Sequence, residues 1–237
     1  MTEFVNPFPD DVLEDMGDMP NYNDWIVEQF AATLRGHVAE IGAGLGTISE
    51  RLRPHVDHLD LVEPTAALAE RLRAKFADDR GCGVAEQSLE SWMETSPGAT
   101  YDAIVMVNVL EHIEDDRAAA RGLFDAMKPG GTLLIFVPAL PFLYSELDRI
   151  YGHYRRYRRR ELRDSVEKAG FRIEKLRYFD ITGVFPWWLM NTVMGKTSFH
   201  QPSLTVYDRF LVPPTKLIES ILPPPLGKNL ILIASKD

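Results

Sequence analysis

A glycine-rich loop is the first feature of this sequence that could take part in chemistry. Gly42, Gly44 and Gly46 follow an apolar, strand-like run at residues 38–41 and precede a helical stretch. Without a Cβ atom, the backbone at such positions can turn tightly and approach a ligand closely. The loop is therefore a candidate site for an adenosine-bearing cofactor, either a dinucleotide or S-adenosylmethionine.

The spacing of the glycines separates these two cofactors. A dinucleotide loop has its third glycine where this chain has Thr47, whereas Glu40 begins the pattern acid-x-Gly-x-Gly-x-Gly that is typical of S-adenosylmethionine sites. Glu63 follows the loop by about 20 residues, where a carboxylate can accept hydrogen bonds from ribose hydroxyls. Both cofactors predict that acid, so the glycine spacing favours S-adenosylmethionine.

Two histidines could act on an acceptor. His112 follows the fourth predicted strand, and His153 lies in a distinct segment after Pro138. A methyl group on a sulfonium is already activated, so the enzyme chiefly aligns the acceptor and excludes water, and no metal is required. A hydroxyl acceptor would benefit from a general base, and imidazole, with a pKa of about 6.5, is suitable. The candidate catalytic residues are His153, His112 and Tyr151, although each could instead be a packing group.

Arginines and aromatic residues are concentrated after Pro138 in an otherwise acidic chain. Guanidinium groups bind carboxylates and phosphates through paired hydrogen bonds, which suggests an anionic substrate. The alternative is a solvated helix face paired with nearby acids, and we favour it for Arg159, Arg160 and Arg163. The candidate substrate-binding residues are Tyr144, Arg155, Arg156, Tyr157 and Trp187.

A second unusual segment covers residues 180–229. Its apolar run at residues 185–190 is too short to span a bilayer. It could pack in the core or a lid, line a pocket, form a homodimer contact or touch a lipid surface. We expect residues 139–160 and 180–229 to be substrate-facing insertions or a lid.

Alternating strands and helices must position these residues. The predicted strands lie at 38–41, 59–62, around Val84, 103–107 and 133–137, and the predicted helices between them include 66–76 and 115–127. This alternation predicts a parallel sheet covered by helices on both faces, with ligands at the carboxyl edge of the strands.

The sequence also predicts the helices and strands that precede and follow this alternating region. A helix with Asn23 or Asp24 as its N-cap runs to residue 34 before the first strand. The motif at residues 128–131, Lys-Pro-Gly-Gly, stops a helix and turns the chain into the strand at 132–137. Later come a helix to residue 169, a strand at 171–179 and a last apolar run at 230–234 that could pair with that strand.

Composition narrows the class of protein. A chain of 237 residues with 45% hydrophobic and 26% charged residues fits one globular domain. Its net charge of -9 argues against nucleic-acid binding and favours a small-molecule substrate. Cys82 is the lone cysteine, so an intramolecular disulfide is excluded and a reducing cytoplasm fits. The acidic N-terminal extension, residues 1–20, lacks a signal-peptide pattern, and no membrane span is predicted.

Four motifs together resemble the class I S-adenosylmethionine-dependent methyltransferases. They are residues 40–47, Glu63, the run Asn108-Val109-Leu110-Glu111-His112-Ile113, and residues 128–131. Residues 21–25 and the run Gly152-His153-Tyr154-Arg155-Arg156-Tyr157 further resemble a bacterial subgroup often encoded beside glycosyltransferases. The resemblance implies one Rossmann-like domain with a seven-stranded, mostly parallel sheet whose last strand is antiparallel.

The resemblance also implies a cofactor site. The glycines would face the methionine moiety and Glu63 the ribose, while residues 87–90 would lie beside the adenine, although the acid common at the Ser88 position is missing. Asn108 would meet the methionine end, with Tyr22 and Trp25 closing over it. The implied cofactor-binding residues are Tyr22, Trp25, Glu40, Gly42, Gly44, Gly46, Glu63, Pro64, Ser88, Leu89, Asn108 and Val109, and no metal is implied.

These observations predict methyl transfer from S-adenosylmethionine to a small molecule. Oxygen of a sugar, a glycoconjugate precursor or a specialised metabolite is the leading acceptor, and N- or C-methylation is the alternative. A nicotinamide-dependent oxidoreductase is a second hypothesis, against which Thr47 and the motifs at Asn108 and Gly130 count. A catalytically silent, cofactor-binding partner protein is the third.

Overall fold

Seven strands form one mixed sheet in the computed structural model, which describes residues 19–96, 98–198 and 201–237. The strands are β1 (His37–Ile41), β2 (His58–Val62), β3 (Cys82–Ala85), β4 (Tyr101–Val107), β5 (Met127–Pro138), β6 (Arg172–Phe179) and β7 (Asn229–Ser235). Their order across the sheet is β3-β2-β1-β4-β5-β7-β6, and β7 runs antiparallel to both of its neighbours. The Rossmann-like, mostly parallel sheet with an antiparallel last strand is confirmed, as is the pairing of the last two strands.

Helices connect the strands and cover the sheet. They are α1 (Pro20–Glu28), α2 (Ser49–Leu52), α3 (Ala66–Lys75), α4 (Leu89–Thr95), α5 (Asp116–Ala126), α6 (Glu146–Ile150), α7 (Arg159–Glu167), α8 (Val184–Trp187), α9 (Gln201–Val206) and α10 (Val212–Ile221). Wider π-helical turns follow α8 at Trp188–Val193 and α9 at Tyr207–Leu211. Among the described residues, no helix is both long and apolar enough to cross a membrane.

The side chains of β5 alternate between two hydrophobic cores. Leu133, Ile135 and Val137 join a cluster with residues of α4, α5 and α7, whereas Leu134 and Phe136 join one with residues of α1, α3 and α10. Successive side chains of a strand point to opposite faces, so these two clusters lie on the two faces of the sheet. The predicted helical layer on each face is therefore present.

The first helix begins earlier than the sequence predicted. Pro20 occupies its first position, where the missing N–H of proline removes no hydrogen bond, and the helix ends at Glu28. Asn23 and Asp24 lie inside this helix, so the predicted N-caps are wrong. The predicted extension at residues 1–20 lies, up to residue 18, outside the described residues.

The Lys-Pro-Gly-Gly motif lies within β5 rather than before it. The pairing of β5 with β4 shifts between Tyr101–Met127 and Ala103–Thr132, which places the motif in an irregular part of the ladder. Gly130 has a φ of 78°, a conformation that glycine adopts without steric cost. The motif does follow a helix end, since α5 ends at Ala126.

Candidate functional site

A large cavity opens at the carboxyl edge of the parallel strands. Its volume is about 990 Å³, near the upper end of the range of about 300–1,000 Å³ for small-molecule sites. The last residues of β1, β2 and β4 line it, together with the loops that follow these strands. This is the edge at which open α/β sheets bind ligands, as the sequence predicted.

The glycine loop forms one wall of this cavity. Gly42 has a φ of 74°, and a Cβ atom there would lie 2.5 Å from Cγ2 of Val109. Gly44 has a φ of 55°, and a Cβ atom there would meet nothing within 4 Å. The close contact with Val109 and the positive φ both favour glycine at position 42, whereas at position 44 only the positive φ does. The missing side chain of Gly44 leaves open space for a ligand.

Glu63 joins this loop to the end of β2. Its Oε2 atom accepts a hydrogen bond from the amide of Gly44 at 2.9 Å, and its Oε1 atom accepts one from the amide of Thr65 at 2.9 Å. Only 5% of Glu63 is exposed, and it lines the cavity. Each carboxylate oxygen can accept more than one hydrogen bond, so ribose hydroxyls could still be bound.

A second acid, Glu40, is buried behind the loop. It accepts a hydrogen bond of 2.5 Å from Oγ of Ser49. Burial raises the pKa of Glu40 to about 8, although the hydrogen bond from Ser49 lowers it. Its carboxyl group is thus largely protonated near neutral pH, and a positive charge arriving in the cavity would favour the ionised form.

The remaining predicted cofactor residues divide into two groups. Those that line the cavity are Tyr22, Pro64, Ser88, Leu89, Asn108 and Val109. Trp25 and Gly46 do not line it. Trp25 is 1% exposed and packs on Phe179, with ring centroids 3.8 Å apart, while a Cβ atom at Gly46 would meet Leu72 of α3 at 2.9 Å. The predicted roles of Trp25 as a cover and of Gly46 as a cavity residue are therefore corrected to packing.

Three predicted catalytic residues come together in the lining of the cavity. His112 follows β4 in a short 3₁₀ turn, and His153 follows α6, yet their ring centroids lie 4.6 Å apart. The ring of Tyr151 lies 6.4 Å from that of His153. All three line the cavity.

His153 is held by a buried carboxylate that the sequence analysis missed. Nδ1 of His153 lies 2.9 Å from Oδ1 of Asp148, which leaves Nε2 as the other ring nitrogen. Asp148 has no exposed side-chain surface and also accepts a hydrogen bond of 2.8 Å from Nε of Arg156. Burial would raise the pKa of Asp148, but His153 and Arg156 hold it below its usual value. Asp148 precedes His153 by only five residues, and this closeness in sequence was the available signal.

Glu111 is the other functional candidate that sequence reasoning missed as a site residue. It has no exposed surface, lines the cavity, and its carboxylate oxygens accept no hydrogen bond from any other described residue. Burial raises the pKa of Glu111 to about 7, even though His153 and Arg156 lower it. Burial also lowers the pKa of the adjacent His112 to about 3, and His153 adds to that effect.

Two of the predicted substrate-binding residues line the cavity, and three do not. Arg156 stacks on Trp187, with its guanidinium carbon 4.4 Å from the ring centroid, and both line the cavity.

The other three predicted residues are held by contacts within the protein. Tyr157 is 1% exposed and donates a hydrogen bond to Asp116 in the core. Arg155 also pairs with Asp116, at 3.3 Å. Tyr144 donates to the backbone oxygen of His153 at 2.6 Å. Tyr144, Arg155 and Tyr157 are thus corrected from substrate contacts to supports of the segment.

The segment at residues 180–229 supplies a further wall of the cavity. Trp187, Met190, Leu204 and Tyr207 are among its lining residues. Buried Asp180 anchors this wall, because it accepts hydrogen bonds from the hydroxyl of Tyr207 and from the amide of Gly183 and pairs with Lys228 at 3.3 Å.

Comparison with known proteins places most of the chain in one family. Residues 17–176 match a family described as a methyltransferase domain. An uncharacterised methyltransferase of Mycobacterium bovis is 29% identical over 110 residues, which cover 46% of this chain and 54% of that protein. The match therefore spans about half the length of this relative.

Two further proteins are similar over longer stretches. A ubiquinone biosynthesis O-methyltransferase of Coxiella burnetii is 26% identical over 169 residues, covering 64% of this chain and 68% of that protein. A solved structure of an S-adenosylmethionine-dependent methyltransferase from Mesorhizobium loti has a TM-score of 0.59 at 16% identity, covering 86% of this chain and 92% of that one. At such identity the structural likeness establishes the fold alone.

Proposed function

This chain belongs to the family of methyltransferase domains, and we propose that it transfers a methyl group from S-adenosylmethionine to a small molecule. Bound S-adenosylmethionine supplies an electrophilic methyl group on a sulfonium. The observation that carries the proposal is one cavity lined both by the Gly44–Glu63 cradle and by His112 with His153. A donor and an acceptor could therefore meet inside it.

The residues around the loop fit this cofactor. The open space beside Gly44 would admit its backbone, and Glu63 would accept hydrogen bonds from the ribose hydroxyls. Ser88 and Leu89 would face the adenine, and Asn108 the methionine end. Buried Glu40 would respond to the positive charge of the ligand.

We further propose that the acceptor atom is a hydroxyl oxygen. His153, oriented by Asp148, and its neighbours His112 and Tyr151 are the polar groups that would position that hydroxyl and help remove its proton. The similarity to an O-methyltransferase supports oxygen. A sugar, a glycoconjugate precursor or a specialised metabolite remains the leading substrate class, and N- or C-methylation remains the alternative.

The substrate is proposed to carry an apolar portion. The two segments 139–160 and 180–229 would select it, because Trp187, Met190 and Leu204 give the cavity an apolar wall. An anionic group has less support, since the charge of Arg156 is already balanced by Asp148 at 2.8 Å.

A transfer assay tests this function. The protein is incubated with S-adenosylmethionine labelled in its methyl group and with a panel of sugars, phenols and hydroxylated metabolites. We expect labelled O-methyl product and one S-adenosylhomocysteine per product. Label on nitrogen or carbon would reject oxygen as the acceptor, and binding of NADH in place of S-adenosylhomocysteine would reject the family's cofactor for this chain.

A further inference from the structure

Three side chains in the lining of the cavity form a cluster of metal-ligand type. One ligand atom each from Glu111, His112 and His153 can be chosen so that all three lie within 4.8 Å of one another. All three residues line the cavity. Atoms bound at about 2.0–2.2 Å to one ion lie within about 4.4 Å of each other, so small side-chain movements would complete a shared site.

Glu111 supplies the independent reason for a cation here. Its side chain is fully buried, faces the cavity and receives no hydrogen bond from any other described residue. A buried carboxylate without a partner is costly, because burial removes its hydration. The nearby guanidinium of Arg156 donates no hydrogen bond to Glu111, because its Nε atom bonds Asp148 instead. A bound cation would balance the charge directly.

The two histidines are already oriented as metal ligands usually are. A histidine that binds a metal typically bonds a carboxylate or a backbone carbonyl through its other ring nitrogen. His153 does so with Asp148 at 2.9 Å. His112 is hydrogen-bonded to the backbone at Tyr151 and Gly152. Both rings are therefore fixed from outside the cluster.

We propose that Glu111, His112 and His153 bind one divalent transition-metal ion, of which Zn²⁺ is the simplest representative. Two imidazoles and one carboxylate suit zinc and its neighbours better than magnesium, which prefers oxygen ligands. Three protein ligands leave coordination positions open toward the cavity, as in catalytic rather than structural sites. This differs from the expectation from sequence that no metal takes part.

The role of this ion rests on the proposed function. The acceptor's hydroxyl oxygen would coordinate the ion, which lowers the pKa of the hydroxyl so that its proton leaves to solvent. The oxygen then forms a bond to the methyl carbon as the carbon–sulfur bond breaks, and that electron pair stays on sulfur. In this arrangement His153 is a ligand and holds the ion, rather than removing the proton itself.

Calorimetric titration of the chelator-treated full chain with Zn²⁺ tests the site. We expect one ion per chain, and at least about tenfold weaker binding in Glu111→Gln, in His153→Ala and in Asp148→Asn. Thermal melts identify any variant that fails to fold. The titration of the wild type tests the proposal even if a variant does not fold. No Zn²⁺ binding by the wild type would overturn the proposal.

A second histidine cluster provides the control. His37, His58 and Asp60 lie at the opposite, amino-terminal edge of the sheet and also have ligand atoms within 4.8 Å of one another. His58→Ala should leave the measured Zn²⁺ affinity unchanged, whereas loss of binding in that variant alone would overturn the proposal. S-adenosylhomocysteine binding, measured without metal, is expected to persist. Its absence would reject the proposed function, while its presence without a Zn²⁺ site would reject this inference alone.

Discussion

The carboxylate of Glu63 accepts a hydrogen bond from the amide of Gly44 across 2.9 Å and so ties the end of β2 to the loop after β1. The same carboxylate lines the cavity, as does the glycine whose missing side chain leaves it open. This hydrogen bond joins the two residues that the sequence pattern predicted to bind the cofactor. The affinity for S-adenosylhomocysteine is therefore the most direct measure of this site.

Gly44→Ala should weaken that affinity. The added methyl group enters the space left for the ligand, and overpacking of about 1–3 kcal/mol corresponds to roughly 5- to 150-fold weaker binding. The positive φ of 55° adds a loss of stability of about 1–2 kcal/mol. Calorimetry with S-adenosylhomocysteine and a thermal melt measure the two effects.

Gly130→Ala is the matched control for this substitution. Gly130 also has a positive φ, of 78°, with nothing within 4 Å of an added Cβ atom, and it does not line the cavity. We expect a similar loss of stability with unchanged affinity. Equal loss of affinity in both variants would show that backbone strain, and not the space beside Gly44, governs binding.

Glu40 should make the stability of the fold depend on pH. Burial raises its pKa from 4.5 to about 8, so between these values the folded state keeps a proton that the unfolded state has lost. The contribution of Glu40 to the free energy of unfolding therefore falls as pH rises from about 4.5 to 8, and it levels off above that. Glu40→Gln keeps an acceptor for Ser49 and removes this dependence.

Urea unfolding of wild type and Glu40→Gln at pH 5, 6.5 and 8 checks this prediction. The free energy of unfolding of the wild type should fall relative to that of Glu40→Gln as pH rises. Parallel pH profiles for the two proteins would mean that Glu40 does not retain its proton in the fold.

Trp25→Phe should destabilise the fold without affecting the cofactor site. Trp25 is 1% exposed and packs on Phe179. The decrease in the free energy of unfolding should be smaller than the roughly 3–5 kcal/mol expected for truncation of a buried tryptophan to alanine. Denaturant unfolding and calorimetry with S-adenosylhomocysteine separate the effects. A large drop in the affinity for S-adenosylhomocysteine with little loss of stability would show that Trp25 belongs to the cofactor site after all.

Asp148→Asn should reduce turnover while cofactor affinity holds. The carboxylate orients His153 through Nδ1, and loss of the carboxylate partner of a metal-binding histidine, as proposed for His153, typically costs about 10- to 100-fold in activity. Steady-state kinetics with the acceptor from the transfer assay should show the loss in kcat. His153→Ala should lose most turnover as well. Unchanged kcat in both variants would reassign the pair to packing.

Local patterns predicted the sheet and the cavity edge well. Short apolar runs define strands, and the alternation with helices limits their order, so the pairing of β6 with β7 could be inferred from residues 171–179 and 230–234. The position of His112 at the cavity also follows from the strand ends, because His112 lies just after β4.

The direction and burial of single side chains could not be predicted in this way. Trp25 and Tyr157 belong to motifs near the cavity, yet packing turns both into the core. Glu111 and Asp148 were missed because the sequence does not indicate that either carboxylate will be fully buried, even though Asp148 stands close to His153 in the chain. The wall at residues 180–229 includes π-helical turns, whose periodicity matches neither a standard helix nor a strand.

Calorimetric titration of S-adenosylhomocysteine into wild type, Glu63→Ala and Glu70→Ala tests the central claim most directly. Glu70 is an exposed acid on α3 outside the cavity lining and controls for the loss of one charge. Loss of hydrogen bonds to a charged group, about 1.5–3 kcal/mol, predicts roughly 10- to 100-fold weaker binding for Glu63→Ala and wild-type affinity for Glu70→Ala. Absence of binding to the wild type, or equal affinity in all three proteins, would contradict the account.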